Sequence, residues 1–186
     1  MSKMSAAGAI AAWHEEHVYF NRLLELLHRE IDVFATGGRP NYQLMLDIIS
    51  YLREYSDEYH HRREDVAFDI LAQHCPDMAL ELARLKQEHH VIAHAGAKLM
   101  KYIAAILGEA MVARADVETA AATYLVYYGN HIAKEEEDVL TRAAKVLTAE
   151  DWAAVKAAAP VGRDPVFGDH PAERYRNLRR QIALET

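Results

Sequence analysis

Helix-breaking residues cluster in this chain, and their placement leaves four long segments between them. Gly37, Gly38 and Pro40 form one break, Cys75-Pro76 a second, and Gly108 lies near a third. Pro160 to Pro171 is the longest irregular stretch. Between the breaks the chain is rich in Ala, Leu, Glu, Lys, Arg and Met, which favour helix over strand. Apolar residues recur at helical spacing: Trp13, Phe20, Leu24, Leu27 and Ile31, then Ile48, Leu52, Ala67 and Leu71. Leu82, Leu85, Ile92, Leu99 and Ile103 mark the third segment, and Tyr124, Tyr128 and Val139 the fourth. No segment alternates with period two, so no strand is required. The pattern predicts helices over about 7–36, 42–74, 77–107 and 116–147. Pro76 suits the first turn of the third and Asp116 the N-cap of the fourth. Thr148 and Asp151 form a capping-box-like pair opening a shorter helix over about 149–159, and a last short helix is expected over about 172–183. Short connections between long helices favour antiparallel neighbours. The expected fold is therefore all-α: an up-down-up-down antiparallel four-helix bundle over 1–147. The remainder, 148–186, is expected as a C-terminal helical extension packed on the same domain.

Composition narrows the function classes. The 186 residues hold 51% hydrophobic side chains, enough for one well-buried core. With 21 Lys plus Arg against 28 Asp plus Glu, the net charge of -7 argues against a nucleic-acid partner. A single cysteine, Cys75, rules out an intrachain disulfide. Its place at a helix junction beside Pro76 suits a structural role better than a redox one. Apolar runs are broken well before the roughly 18–20 residues a membrane span needs, and the N-terminal MSKMSAAGAIAAWHEEH is a poor signal peptide. A cytoplasmic location is the expectation.

Eleven histidines are unusual, and their positions carry the functional reading. YHHRREDVAF at 59–68 resembles NHIAKEEEDVL at 130–140, and each carries a His followed four residues later by Glu: His60 with Glu64, His131 with Glu135. On a helix such a pair shares one face about 6 Å apart along the axis, so both side chains reach a common point. The other two long segments each carry a Glu-His dipeptide, Glu16-His17 and Glu88-His89, with His17 and His89 on the apolar stripes. A lone histidine on such a stripe is more often a hydrogen-bonded core residue, so agreement among the helices decides the matter. His17 lies about 19 residues before the first break and His60 about 18 after the second helix begins, which levels them in an antiparallel pair. His89 and His131 fall near the same depth. Four inward histidines and two carboxylates exceed one tetrahedral zinc, and helical bundles with this donor set hold two metals bridged by carboxylates.

These motifs, in this order and spacing over about residues 10–145, resemble the hemerythrin-like HHE cation-binding domains, with a C-terminal extension of the kind some bacterial single-domain members carry. The resemblance implies a centre of two non-haem iron ions, with a bridging oxo or hydroxo group. The ligands it implies are His17, His60, Glu64, His89, His131 and Glu135, the histidines terminal and the two glutamates bridging. The function it implies is binding of oxygen or nitric oxide for sensing, storage or scavenging. A di-iron oxidase or peroxidase-like enzyme and an iron-storage protein are the alternatives. The oxygen carriers of the family use a His-x-x-x-His pair in the third helix, whereas Leu85 stands four residues before His89 here. His90 and His94 have that spacing but would rotate the helix face. His61 stands beside His60 one turn from Glu64, and Glu136 has the spacing of the carrier carboxylate, so both remain candidate ligands.

Tyr51, Tyr55 and Tyr59 form a stripe that reads mainly as a packing face. His14, one turn before His17, is a candidate partner of a ligand, and His28, His74 and His170 read as surface residues. The last two helices either cover a bundle face or form a homodimer contact.

Overall fold

The computed structural model describes residues 6–159 and 162–184, and among these every regular element is helical. The first rod is α1 (Ala6–Ala35). The second is continuous from α2 (Tyr42–Tyr51) through a π-helical stretch (Leu52–His60) into α3 (His61–His74). A 3-10 turn at Pro76–Met78 leads into the third, α4 (Ala79–Leu107). The fourth runs from α5 (Arg114–Lys134) through a second π-helical stretch (Glu135–Val139) into α6 (Leu140–Val146). Two short helices follow, α7 (Ala149–Ala158) and α8 (Arg176–Leu184). The helices expected from spacing are thus present, with one correction at a cap. Asp116 is not the N-cap of the fourth rod: α5 begins at Arg114 after extended Ala113, placing Asp116 in its first turn, where a carboxylate still favours the helix dipole. The capping box of α7 is formed as expected, with Thr148 and Asp151 bonding each other's backbone N–H.

The rods pack around two apolar clusters. One holds Phe20, Leu23, Leu27, Tyr51, Ile92, Leu99, Tyr124 and Tyr128. The other holds Trp13, Phe68, Leu71, Leu82, Leu85, Val139 and Leu147. α7 adds Trp152 and Val155 to the second cluster, with the Trp152 ring edge-on to Trp13 at 5.3 Å. α8 adds Leu178 and Ile182 to the first, and Arg22 donates to the Ile182 carbonyl at 2.7 Å. Gly96 lets α4 and α5 approach closely, because a Cβ there would lie 2.9 Å from the Tyr124 ring. Between the two clusters sits a buried polar layer.

The π-helical stretches frame that layer. At the end of the first, the His61 N–H bonds the Ser56 carbonyl five residues back, and at the end of the second the Leu140 N–H bonds the Glu135 carbonyl. A five-residue turn admits one extra residue without breaking the rod, and such turns recur at functional sites. Here it brings Ser56 and His61 onto one face and turns both His60 and His61 inward.

Candidate metal centre

Each long rod sends side chains into the layer: His17 from α1, His60 and Glu64 from the second rod, His89 from α4, and His131 and Glu135 from the fourth. All six are at most 5% exposed. The histidines form two facing pairs. His17 Nε2 lies 2.9 Å from His60 Nε2, and His89 Nε2 lies 2.9 Å from His131 Nε2. The two glutamates lie between the pairs and turn one oxygen to each. Glu64 Oε1 is 2.7 Å from His60 Nε2 and 3.3 Å from His17 Nε2, while its Oε2 is 3.4 Å from His89 Nε2. Glu135 Oε1 is 3.0 Å from His131 Nε2, and its Oε2 is 3.4 Å from His17 Nε2.

A second set of carboxylates holds the outward ring nitrogens. Glu16 Oε2 is 2.5 Å from His60 Nδ1, and Asp65 Oδ1 is 2.9 Å from His89 Nδ1. Glu88 Oε2 is 3.3 Å from His131 Nδ1, and Glu136 Oε1 is 2.7 Å from His17 Nδ1. Each of these acids neighbours an inward residue in sequence but serves a histidine on the adjacent rod, so the contacts close a ring around the bundle. A carboxylate on Nδ1 fixes the tautomer that leaves the Nε2 lone pair facing inward and makes it a better donor. The ring is braced in turn. Buried Arg63 donates to Glu16 Oε2, Tyr55 donates to Glu16 Oε1 at 2.8 Å, Arg84 pairs with Glu88, and His14 with Glu136. The arrangement has an internal twofold pattern: Glu16-His17 recurs as Glu88-His89, and His60 with Glu64-Asp65 recurs as His131 with Glu135-Glu136.

The layer is built for cations. Glu64 Oε2 and both oxygens of Glu135 are buried without a hydrogen-bond partner among the described residues, which in an apolar interior is costly unless something positive fills the space between them. Two donors about 2.1 Å from one ion and at right angles to each other stand roughly 3.0 Å apart, close to the spacing of both Nε2 pairs. Donor atoms lie within 4.8 Å of one another in each of two groups: His17, His60 and Glu64, and His61, Glu64, His89 and His131. Without a cation the layer balances its charge with protons. Burial opposes the charge of His17, but its hydrogen bonds to Glu136 and Glu64 outweigh that and raise its pKa to about 10. Burial likewise opposes charge on His89, and Asp65, Glu135 and Glu64 raise its pKa to about 11. Against its own burial, Glu16 is lowered to about 2 by His60 and Arg63. Desolvation resists ionisation of Glu64, yet the surrounding histidines hold its pKa well below the usual range.

The family model of the Hemerythrin HHE cation binding domain matches residues 8–143. The chain belongs to this family. No curated protein and no solved structure matches it. Members bind metal cations, and the buried His/Glu layer of this HHE domain is where one fits. All six residues predicted from the motifs meet in that layer. His90 and His94 are exposed on the outer face of α4 and do not enter it. Glu136 faces His17 Nδ1 from outside rather than joining the inner group, and His14 braces it there. His61 is buried beside the second pair. His28 is exposed near Asp32, His170 is exposed, and His74 pairs with Asp151 at 3.2 Å. Cys75 is buried with its Sγ 3.2 Å from Arg142 Nε. The Glu-His dipeptides pointed to His17 and His89 alone, and the part Glu16 and Glu88 play on histidines of neighbouring rods is seen only in the structure. Asp65 and Glu136 carried no separate signal in that role, since each stands beside a stronger candidate.

Proposed function

We propose that this HHE domain holds two non-haem iron ions and binds a small diatomic ligand, oxygen or nitric oxide, at them. One ion would sit with His17, His60 and one oxygen each of Glu64 and Glu135. The other would sit with His89, His131 and the remaining oxygens. The observation that carries the reading is that each glutamate presents one oxygen to each histidine pair, as a bridging carboxylate does. Imidazole with carboxylate is a donor set suited to iron, and ferrous iron supplies electrons and open coordination positions to such ligands. The chain's own part is to orient and to exclude water. The outer carboxylates hold each imidazole in one tautomer, and the apolar clusters on either side of the layer keep bulk water out. Among the described residues no helix is long and apolar enough to cross a membrane.

The test is anaerobic loading with ferrous iron followed by exposure to oxygen or nitric oxide under a visible spectrophotometer. A new charge-transfer band, reversed by degassing in the oxygen arm, is the expected outcome. An iron-loaded protein whose spectrum ignores both gases contradicts the ligand-binding reading.

A further inference from the structure

The twofold pattern of the layer is broken at one inward position. Beside His131 the fourth rod carries Ile132, whereas beside His60 the second rod carries His61, and both are buried. Proximity alone groups His61 with Glu64, His89 and His131. Ring geometry separates it from them. The His61 and His89 rings are stacked, with centroids 4.2 Å apart and planes 7° from parallel. An imidazole donates through a lone pair lying in its own ring plane, and stacked rings are held roughly 3.4 Å or more apart by van der Waals contact. An ion in the plane of His89 therefore lies well out of the plane of His61. One ring nitrogen of His61 is also hydrogen-bonded elsewhere, the other only near a carboxylate. Its Nε2 is 3.2 Å from Ser56 Oγ, which accepts from the Tyr128 hydroxyl at 2.5 Å, and its Nδ1 is 3.4 Å from Asp57 Oδ1.

The surroundings of the two histidine pairs differ accordingly. On the first pair, Phe20 stands edge-on to His60 at 4.9 Å and Trp13 lies at 6.2 Å, so that side is closed by hydrocarbon. The second pair also meets a phenyl ring, Phe68 at 6.0 Å from His89, but in addition a His61 nitrogen lies within 4.8 Å of the donor atoms of Glu64, His89 and His131, with the Ser56–Tyr128 hydroxyls behind it. That side is thus lined by a ring nitrogen and two hydroxyls where the first is lined by hydrocarbon.

We propose that His61 is not a metal ligand but, with Ser56 and Tyr128, forms the polar wall of the position at which a small anion or diatomic ligand binds, on the His89–His131 side. The proposal rests on the two-metal reading above. Each ion then has the same protein donors, two histidines and two carboxylate oxygens, and the ligand's preference for one side comes from His61 standing where the other half of the pattern has Ile132.

The experiment compares wild type with His61→Phe, His61→Leu and Tyr128→Phe. Each is loaded with ferrous iron, air-oxidised, and titrated with azide as the probe anion, with iron per chain and far-UV circular dichroism measured alongside. All four proteins should hold two irons per chain. Azide should bind roughly tenfold or more weakly to both His61 variants, with a smaller loss in Tyr128→Phe. A folded protein retaining one iron in both His61 variants makes His61 a ligand and overturns the proposal. Unchanged azide affinity with two irons present overturns it equally. Wild type that takes up no iron removes the two-metal reading, and this proposal with it.

Discussion

Glu135 and Glu136 are adjacent acids with different work. Glu135 is buried with both oxygens close to inward histidines but in no hydrogen bond among the described residues, whereas Glu136 is partly exposed and bonds His14 and His17 from outside. Glu135→Ala should abolish tight metal binding, and Glu136→Ala should weaken it by about 10–100-fold, the usual cost of losing an outer-shell partner. Equal losses, read by metal competition titration, would contradict the assignment. The proton balance gives a second outcome. In the metal-free protein His17 and His89 hold protons up to about pH 10 and 11, and both must be neutral to ligate. Metal uptake near pH 7.5 should therefore release protons, seen as a dependence of calorimetric heat on buffer ionisation, and affinity should climb as pH rises toward 10. For metal-free stability the signs differ by group. The raised histidines stabilise fully below their ordinary 6.5, a contribution lost as pH rises through about 10. The lowered glutamates stabilise fully above their ordinary 4.5, a contribution lost as pH falls through their depressed values.

At the scale of elements, the helices were legible because Gly and Pro punctuate a strongly helical composition. The π-helical stretches were not, since a 3.6-residue stripe assumes an unbroken α register. Their trace in sequence is slight: buried Tyr55 and Ser56 are each followed five residues later by buried His60 and His61. Deleting exposed Glu58 should restore an ordinary α turn and rotate the residues on one side of it by about 100° relative to those on the other. The expected result is retained helical circular dichroism with loss of metal binding, whereas metal uptake equal to wild type would show that the stretch does not set the register. Legibility of the site follows the same division. His17, His60, Glu64, His89, His131 and Glu135 could be read from i,i+4 spacing and depth. The outer contacts cross between rods, as Glu16 does to His60, and no spacing within one helix reveals them. Gly96 offers a check on the α4–α5 contact. Gly96→Ala places a methyl against the Tyr124 ring and should cost about 1–3 kcal/mol in denaturant unfolding despite the better helix propensity of alanine.

Across the whole molecule, four rods converge on one layer that divides the apolar core in two, so metal binding and folding are coupled. A ligand that binds only the folded state raises its stability by mass action, and stripping the metal should lower the melting temperature reversibly. α7 and α8 pack on α3 and α2, one at each apolar cluster and away from the inner donors. The central claim, that this layer is a two-metal centre, is tested most directly by counting iron per chain after anaerobic loading with ferrous iron and removal of excess. The account predicts two irons in wild type and none held tightly in Glu64→Ala. A single iron in wild type, or none, would contradict it.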